Sequence, residues 1–210
     1  MNRIVLISPG PPYRGGISTH SSLLFQELDK THEVIFINYS RQYPNILFPG
    51  KNQYSNNQSD IIKTVRILDS INPFTWYKTV SYIISLKPDS VIIRYWQPFF
   101  APCLSFISRK LSQKDIKVIS ICDNILSHER RWYEKLFSKI FLKSINGIIV
   151  QSKAVLEEVN FLNKNVKSSV IPHPIYNIYN NDITKVQARD KLNIKSDNVL
   201  LYFGLIREYK

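Results

Sequence analysis

Residues 3–8 (RIVLIS) form a short run of β-branched and aliphatic side chains. The chain then turns at once through Pro9-Gly10-Pro11-Pro12-Tyr13-Arg14-Gly15-Gly16 into an apolar-periodic stretch from Ile17. A run this short and this apolar reads as a strand buried on both faces, which requires a sheet with helices laid over it. The same unit recurs down the chain. Strands are expected at 33–38, 90–95, 116–121, 147–150, 168–171 and 198–203. Helical spacing is read at 17–30, 61–68, 102–111, 131–144, 152–162 and 183–192, and after Pro73 through Trp76, Val80, Ile83 and Ile84. Strands alternating with helices predict an α/β fold with a doubly wound parallel sheet.

The first turn is the first candidate site. Gly15 and Gly16 lack a Cβ, so backbone there can approach a ligand closely. The helix that follows points unpaired N–H groups and its positive dipole end into the same space, which suits an anionic or polyhydroxylated ligand. The alternative is a turn that needs glycine for its own geometry. The spacing is neither G-x-G-x-x-G nor G-x-x-x-x-G-K-[ST], so neither the dinucleotide fingerprint nor the P-loop is present. His20 lies in the first turn of the helix, a candidate contact, and Ser18 or Thr19 is placed to cap it.

The stretch 39–60 is polar and aromatic, with Arg41 and Tyr43 near its start, and reads as a long loop. Tyr and Arg in such a loop can stack on and hold a sugar or lipid-phosphate acceptor, or simply belong to a surface loop. The second candidate site follows the strand at 116–121. There Cys122-Asp123-Asn124-Ile125-Leu126-Ser127-His128-Glu129 places polar groups at a strand's carboxyl end, where open α/β sheets bind ligands. Asp123 can steady positive charge, and His128 and Glu129 can handle a proton or orient the next helix. No G-x-S-x-G elbow supports a serine hydrolase. The helix at 131–144 carries Arg131, Lys135, Lys139 and Lys143 at four-residue spacing, with Tyr133, Leu136, Phe137, Ile140 and Phe141 read as its apolar face. That stripe fits either solvent or an acidic lipid surface.

Twenty-eight basic against 16 acidic residues give a net charge of +12, which attracts phosphorylated substrates, acidic lipid or nucleic acid. No nucleic-acid module is present. Two cysteines, Cys103 and Cys122, without a C-x-x-C pair frame neither a disulfide scaffold nor a zinc site, and fit a reducing compartment. The longest apolar stretch, 91–107, is broken by Arg94, Gln97, Pro98 and Pro102, and the run at 4–7 is too short for a secretory signal. The expectation is a cytoplasmic protein, peripheral at most at the inner face of the membrane.

Three stretches taken together carry a resemblance. They are residues 11–20 (PPYRGGISTH); residues 123–129 with the downstream helix and Ile149-Val150-Gln151-Ser152; and Val170-Ile171-Pro172-His173-Pro174 with residues 201–210 (LYFGLIREYK). The chain resembles the amino-terminal half of a family 4 glycosyltransferase of GT-B architecture. That resemblance implies a Rossmann-like acceptor-binding domain over 1–196, and the first strand of a donor-binding domain over 197–210. It implies transfer of a sugar from a nucleotide-sugar to a glycan or lipid-linked acceptor. Configuration is retained, with no obligatory metal and no cofactor, the nucleotide-sugar being a substrate. The site residues it implies are Gly15, Gly16, Arg207 and Lys210 toward the donor, and Tyr13, Arg14, His20, Arg41 and Tyr43 toward the acceptor. Asp123, His128 and Glu129 are the catalytic candidates. Lys210 stands at the family's distance from Gly204, whereas the family's arginine follows that glycine directly and Arg207 comes three positions on. Relatives often carry histidine where Asp123 stands, and the family's glutamate pair belongs to the second domain.

The same resemblance implies that the 210-residue chain alone is inactive or nearly so. The alternative is a non-catalytic acceptor-binding subunit that pairs with a separate donor-domain chain. A GT-A enzyme would need a D-x-D motif, which is absent, and a nicotinamide oxidoreductase would need the missing fingerprint.

Overall fold

Seven strands, all parallel, lie in the order β3-β2-β1-β4-β5-β6-β7. In this computed structural model residues 1–44, 54, 62–127, 132–176, 178 and 183–202 are described. The elements run β1 (Arg3–Ile7), α1 (Gly16–Asp29), β2 (Glu33–Arg41), β3 (Val65–Asp69), α2 (Pro73–Leu86), β4 (Ser90–Tyr95), α3 (Ala101–Ser112), β5 (Lys117–Cys122), α4 (Trp132–Leu142), β6 (Gly147–Val150), α5 (Lys153–Leu162), β7 (Lys167–Val170) and α6 (Lys185–Lys191). The chain divides into two units, Met1–Pro172 and His173–Lys210.

The first unit holds the whole sheet. Val5, Leu6 and Ile7 of β1, an interior strand, have essentially no exposure, as a strand covered on both faces requires. Helix α1 packs on β2, while α2, α3, α4 and α5 pack side by side. This follows from right-handed crossovers that wind left from β1 and then right from β3 onward. The edge strand β7 is exposed along its length and polar in sequence, Lys167-Ser168-Ser169-Val170. Local chemistry sets the helix ends. The Asn72 side chain accepts from Phe74 N–H with Pro73 following it, and Ser152 accepts from Val155 N–H at 3.2 Å. In the second unit, Thr184 and Gln187 close a capping box at the start of α6.

Three sequence expectations change. Residues 39–41, read as the start of a long loop, complete β2, because they pair with β3. The segment 61–68, read as helical, instead yields the strand β3, and its Arg66 and Leu68 pair with Asn38 and Tyr39 of β2. Residues 198–203 are read as a strand, but the described ones, 198–202, take no regular secondary structure. The described part of the second unit offers no strand to receive them.

The turn after β1 is held by one amide. Asn38 is fully buried. Its Oδ1 accepts from Gly10 N–H at 3.2 Å and Tyr39 N–H at 2.7 Å, and its Nδ2 donates to the carbonyls of Gly10 and Pro11, both at 2.9 Å. A Cβ at Gly10 would stand 2.5 Å from Cζ of the buried Phe36, so any other residue there forces that ring to shift. Replacing Asn38 by Ala orphans these buried backbone groups. The expected loss is about 3 kcal/mol of unfolding free energy in denaturant titration, against little change for a surface control.

Candidate functional site

The strand order reverses between β1 and β4, so the crevice beyond their carboxyl ends is where such a sheet takes a ligand. Four segments converge there: the turn after β1, the first turns of α1, the end of β4, and the loop after β5. Gly15 immediately precedes helix α1, and its φ of +117° is one that L side chains rarely adopt. No side chain caps the helix, and the Thr19 hydroxyl bonds back to Gly15 O instead of capping. A Cβ at Gly15 or Gly16 would meet nothing within 4 Å. Arg14, Gly15 and Gly16 are exposed. The first-turn N–H groups of α1 are therefore open to an incoming anion.

His20 lies one turn beyond Gly16 on the same helix face and is buried. The hydroxyls of Ser8 and Ser21 meet at 2.6 Å and pin that turn to the end of β1. Arg94, one position before the end of β4, is 1% exposed. Its Nε donates to Asp123 Oδ2 at 2.7 Å, its Nη2 donates to Asp123 Oδ1, and its Nη1 donates to His20 Nδ1. A guanidinium has no acceptor, so His20 Nδ1 presents its lone pair and the ring proton sits on Nε2. A buried cation is thus neutralised by a bidentate carboxylate while it fixes a histidine tautomer.

The loop that carries Asp123 is itself anchored from α4. Buried Glu134 accepts from the Ser127 N–H at 2.9 Å and hydroxyl at 2.6 Å. The Ser138 hydroxyl donates to Ile125 O at 2.6 Å. The buried side of α4 is accordingly Glu134, Ser138, Phe141 and Leu142. Leu136, expected on the apolar face, is 55% exposed.

An aromatic wall stands beside the crevice. Tyr43 accepts from Trp96 Nε1–H and donates to Gln97 Oε1, both at 3.0 Å, and stacks on Phe99. Burial raises the pKa of the Tyr43 phenol, against the hydrogen bond from Trp96 that lowers it. Tyr13 is buried, packed 5.2 Å from the Tyr54 ring with Arg66 over both. Burial, then the neighbouring Tyr54, push its pKa up to about 12. Arg41 pairs with Asp69 at 2.6 Å on the outer strands β2 and β3. Cys103 and Cys122 are buried, and burial pushes both thiols up, so neither is a ready nucleophile.

Of the residues expected from sequence, the structure brings His20 and Asp123 together, through Arg94, at the edge that also carries Arg14, Gly15 and Gly16. Tyr43 lines the adjoining aromatic wall. Tyr13 lies against Tyr54 and Arg66, and Arg41 lies on the outer strands. His128, Glu129, Arg131, Arg207 and Lys210 fall outside the described residues. Arg94 was legible only as an interruption of an apolar run. The signal that marks it is a cation near the carboxyl end of a buried parallel strand, where charge is rare unless paired. A separate polar cleft lined by Arg109, Gln113, Lys143 and Asn146 opens at the opposite, amino-terminal edge of the sheet. Among the described residues no cluster of His, Cys, Asp and Glu gathers to hold a metal, and no helix is long and apolar enough to cross a membrane.

Solved structures share this fold. UDP-N-acetylglucosamine 2-epimerase from Rickettsia bellii superposes with a TM-score of 0.54 at 12% identity, covering 81% of this chain and 45% of that one. HepE of Anabaena in complex with UDP gives 0.52 at 12% identity, over 83% and 44%. An alpha-glucosyltransferase in complex with UDP and a mismatched 13-mer DNA gives 0.52 at 13% identity, over 80% and 40%. The sheet is the Rossmann-like domain of the GT-B fold. The chain spans under half the length of these neighbours. No family model matches the sequence, and no curated protein matches it.

The two partners of the ion pair are unequally exposed, at 1% for the Arg94 side chain and 17% for Asp123. Asp123→Ala strands a sealed guanidinium, whereas Arg94→Met strands a carboxylate with some access to water. Asp123→Ala is expected to cost roughly 3–5 kcal/mol in chemical denaturation and Arg94→Met about 1–2 kcal/mol less. Equal or inverted costs contradict the assigned burial.

Proposed function

We propose that this chain is the acceptor-side half of a retaining, metal-independent glycosyltransferase of family 4. In this reading it works on a nucleotide-sugar donor and a glycan or lipid-linked acceptor, in contact with an acidic membrane on the cytoplasmic side. The observation that carries the reading is a glycine-lined, uncapped helix start one turn from the buried His20–Arg94–Asp123 set, both at the sheet's switch point. UDP in two structures of the same fold supports a nucleoside diphosphate as the group received there.

Breaking a nucleotide–sugar bond leaves charge on a diphosphate and gives the sugar oxocarbenium character. The open N–H groups at Gly15 and Gly16 receive the first, and Arg207 and Lys210 keep their assignment to the donor. Asp123, the partly exposed member of the pair with Arg94, is assigned to the second, and His128 and Glu129 are assigned to proton handling. His20, held by Arg94 at the crevice edge, is assigned to the acceptor. Arg14, Tyr13, Arg41 and Tyr43 complete the acceptor side. The remaining donor contacts come from a second half, supplied by more of the same polypeptide or by a partner chain.

The test is acceptor-dependent release of UDP from UDP-glucose, UDP-galactose and UDP-N-acetylglucosamine. The expectation is no release by the 210-residue chain alone, and EDTA-insensitive release when the donor half is supplied. Vigorous transfer by the isolated chain would sink the division into halves. Acceptor-independent inversion at C2 of UDP-N-acetylglucosamine would replace transfer with epimerisation. Two variants probe the turn in the assembled enzyme. Gly16→Ala keeps stability within about 1 kcal/mol, since its Cβ meets open space. Gly15→Ala loses roughly 1–3 kcal/mol to its positive φ. Both lower turnover at least about tenfold, by crowding the diphosphate.

A further inference from the structure

Helix α4 exposes a face that the transfer reading does not use. Trp132, Lys135, Leu136, Lys139 and Lys143 fall at i, i+3, i+4, i+7 and i+11, on one side of the helix, and all are exposed. Trp132 is 87% and Leu136 55% exposed, and Phe161 of the adjoining α5 is 74% exposed. Lys135 Nζ lies 5.6 Å from the centroid of the Phe161 ring, which joins the two helices into one patch. Among the described residues none of the three lysines makes an ion pair. Glu157, one turn before Phe161, is an exposed acid on the neighbouring helix, and the lysines outnumber it.

Large apolar groups interleaved with lysine are an unusual protein-docking surface, since lysine is depleted where proteins meet. They are the composition of a helix lying in a bilayer interface, with tryptophan and leucine dipping and lysine meeting anionic headgroups. We propose that this face of α4, with Phe161, docks the protein on a bilayer that carries anionic lipid. Helix α4 follows the loop that bears Asp123, so its Trp132 end is at the crevice edge of the sheet. A docked molecule would therefore hold its crevice near the lipid surface. The inference deepens the acceptor side of the reading above. It is measured without any donor, so either can fail alone.

The experiment is sedimentation of the 210-residue chain with vesicles of phosphatidylcholine alone, or of equal parts phosphatidylcholine and phosphatidylglycerol. The chain is expected to pellet with the mixed vesicles, to be released as salt rises, and to stay in solution with phosphatidylcholine alone. Changing Lys135, Lys139 and Lys143 together to Gln, or Trp132 and Leu136 together to Ser, lowers partitioning at least about tenfold. The melting temperature should be unchanged, because these side chains are exposed. Equal binding to uncharged vesicles overturns the proposal, as does parental binding by both variants. So does self-association without lipid that the Trp132/Leu136 variant abolishes.

Discussion

A guanidinium sealed inside a parallel sheet is the constraint on which the site depends. Arg94 lies in β4, the central strand of the seven, where the nearby positions Val91, Ile93 and Tyr95 have no exposure. Left alone there, its charge would cost several kcal/mol. Asp123 offsets that cost by accepting two hydrogen bonds, and His20 takes a third. The compensation links α1, β4 and the loop after β5, three elements that meet only where the strand order reverses. The pairing that makes the charge tolerable is therefore the one that fixes the crevice wall and the tautomer of its histidine.

The opposite wall is built from backbone, not charge. Asn38 holds the turn at Gly10 and Pro11 through both atoms of its amide, and the Ser8–Ser21 contact ties α1 to β1. The tip of the turn, Gly15-Gly16, is left without side chains or cap. Fixed supports around open donors make a preorganised receptor, which stabilises developing charge without reorganising at the moment of reaction.

The strands β1, β4, β5 and β6 were legible because buried parallel strands are short, continuous apolar runs with clear punctuation. The segment around β3 was not. Ile61, Ile62, Val65 and Leu68 recur at helical spacing, and only pairing with β2 decides for a strand. Residues 198–202 have the converse problem, strand composition without a strand to pair with. In the site, glycine and the polar residues after β5 were visible because turns and strand ends have their own chemistry. Arg94 was invisible as a site residue, because its partners stand 74 and 29 positions away in sequence. The reversed burial of Leu136 and Glu134 has the same origin. Periodicity gives a helix two faces, and the Ser127 hydrogen bonds decide which turns inward.

The most direct test of this account is the protonation pattern of the His20 ring, read from nitrogen-15 chemical shifts and ring couplings in the folded chain. The ring is expected to carry its proton on Nε2, with Nδ1 bare and accepting from Arg94, and to lose that fixed pattern in Arg94→Met. A proton found on Nδ1 would contradict it outright, since a guanidinium cannot accept a hydrogen bond and the site would then have to be assembled around some other contact.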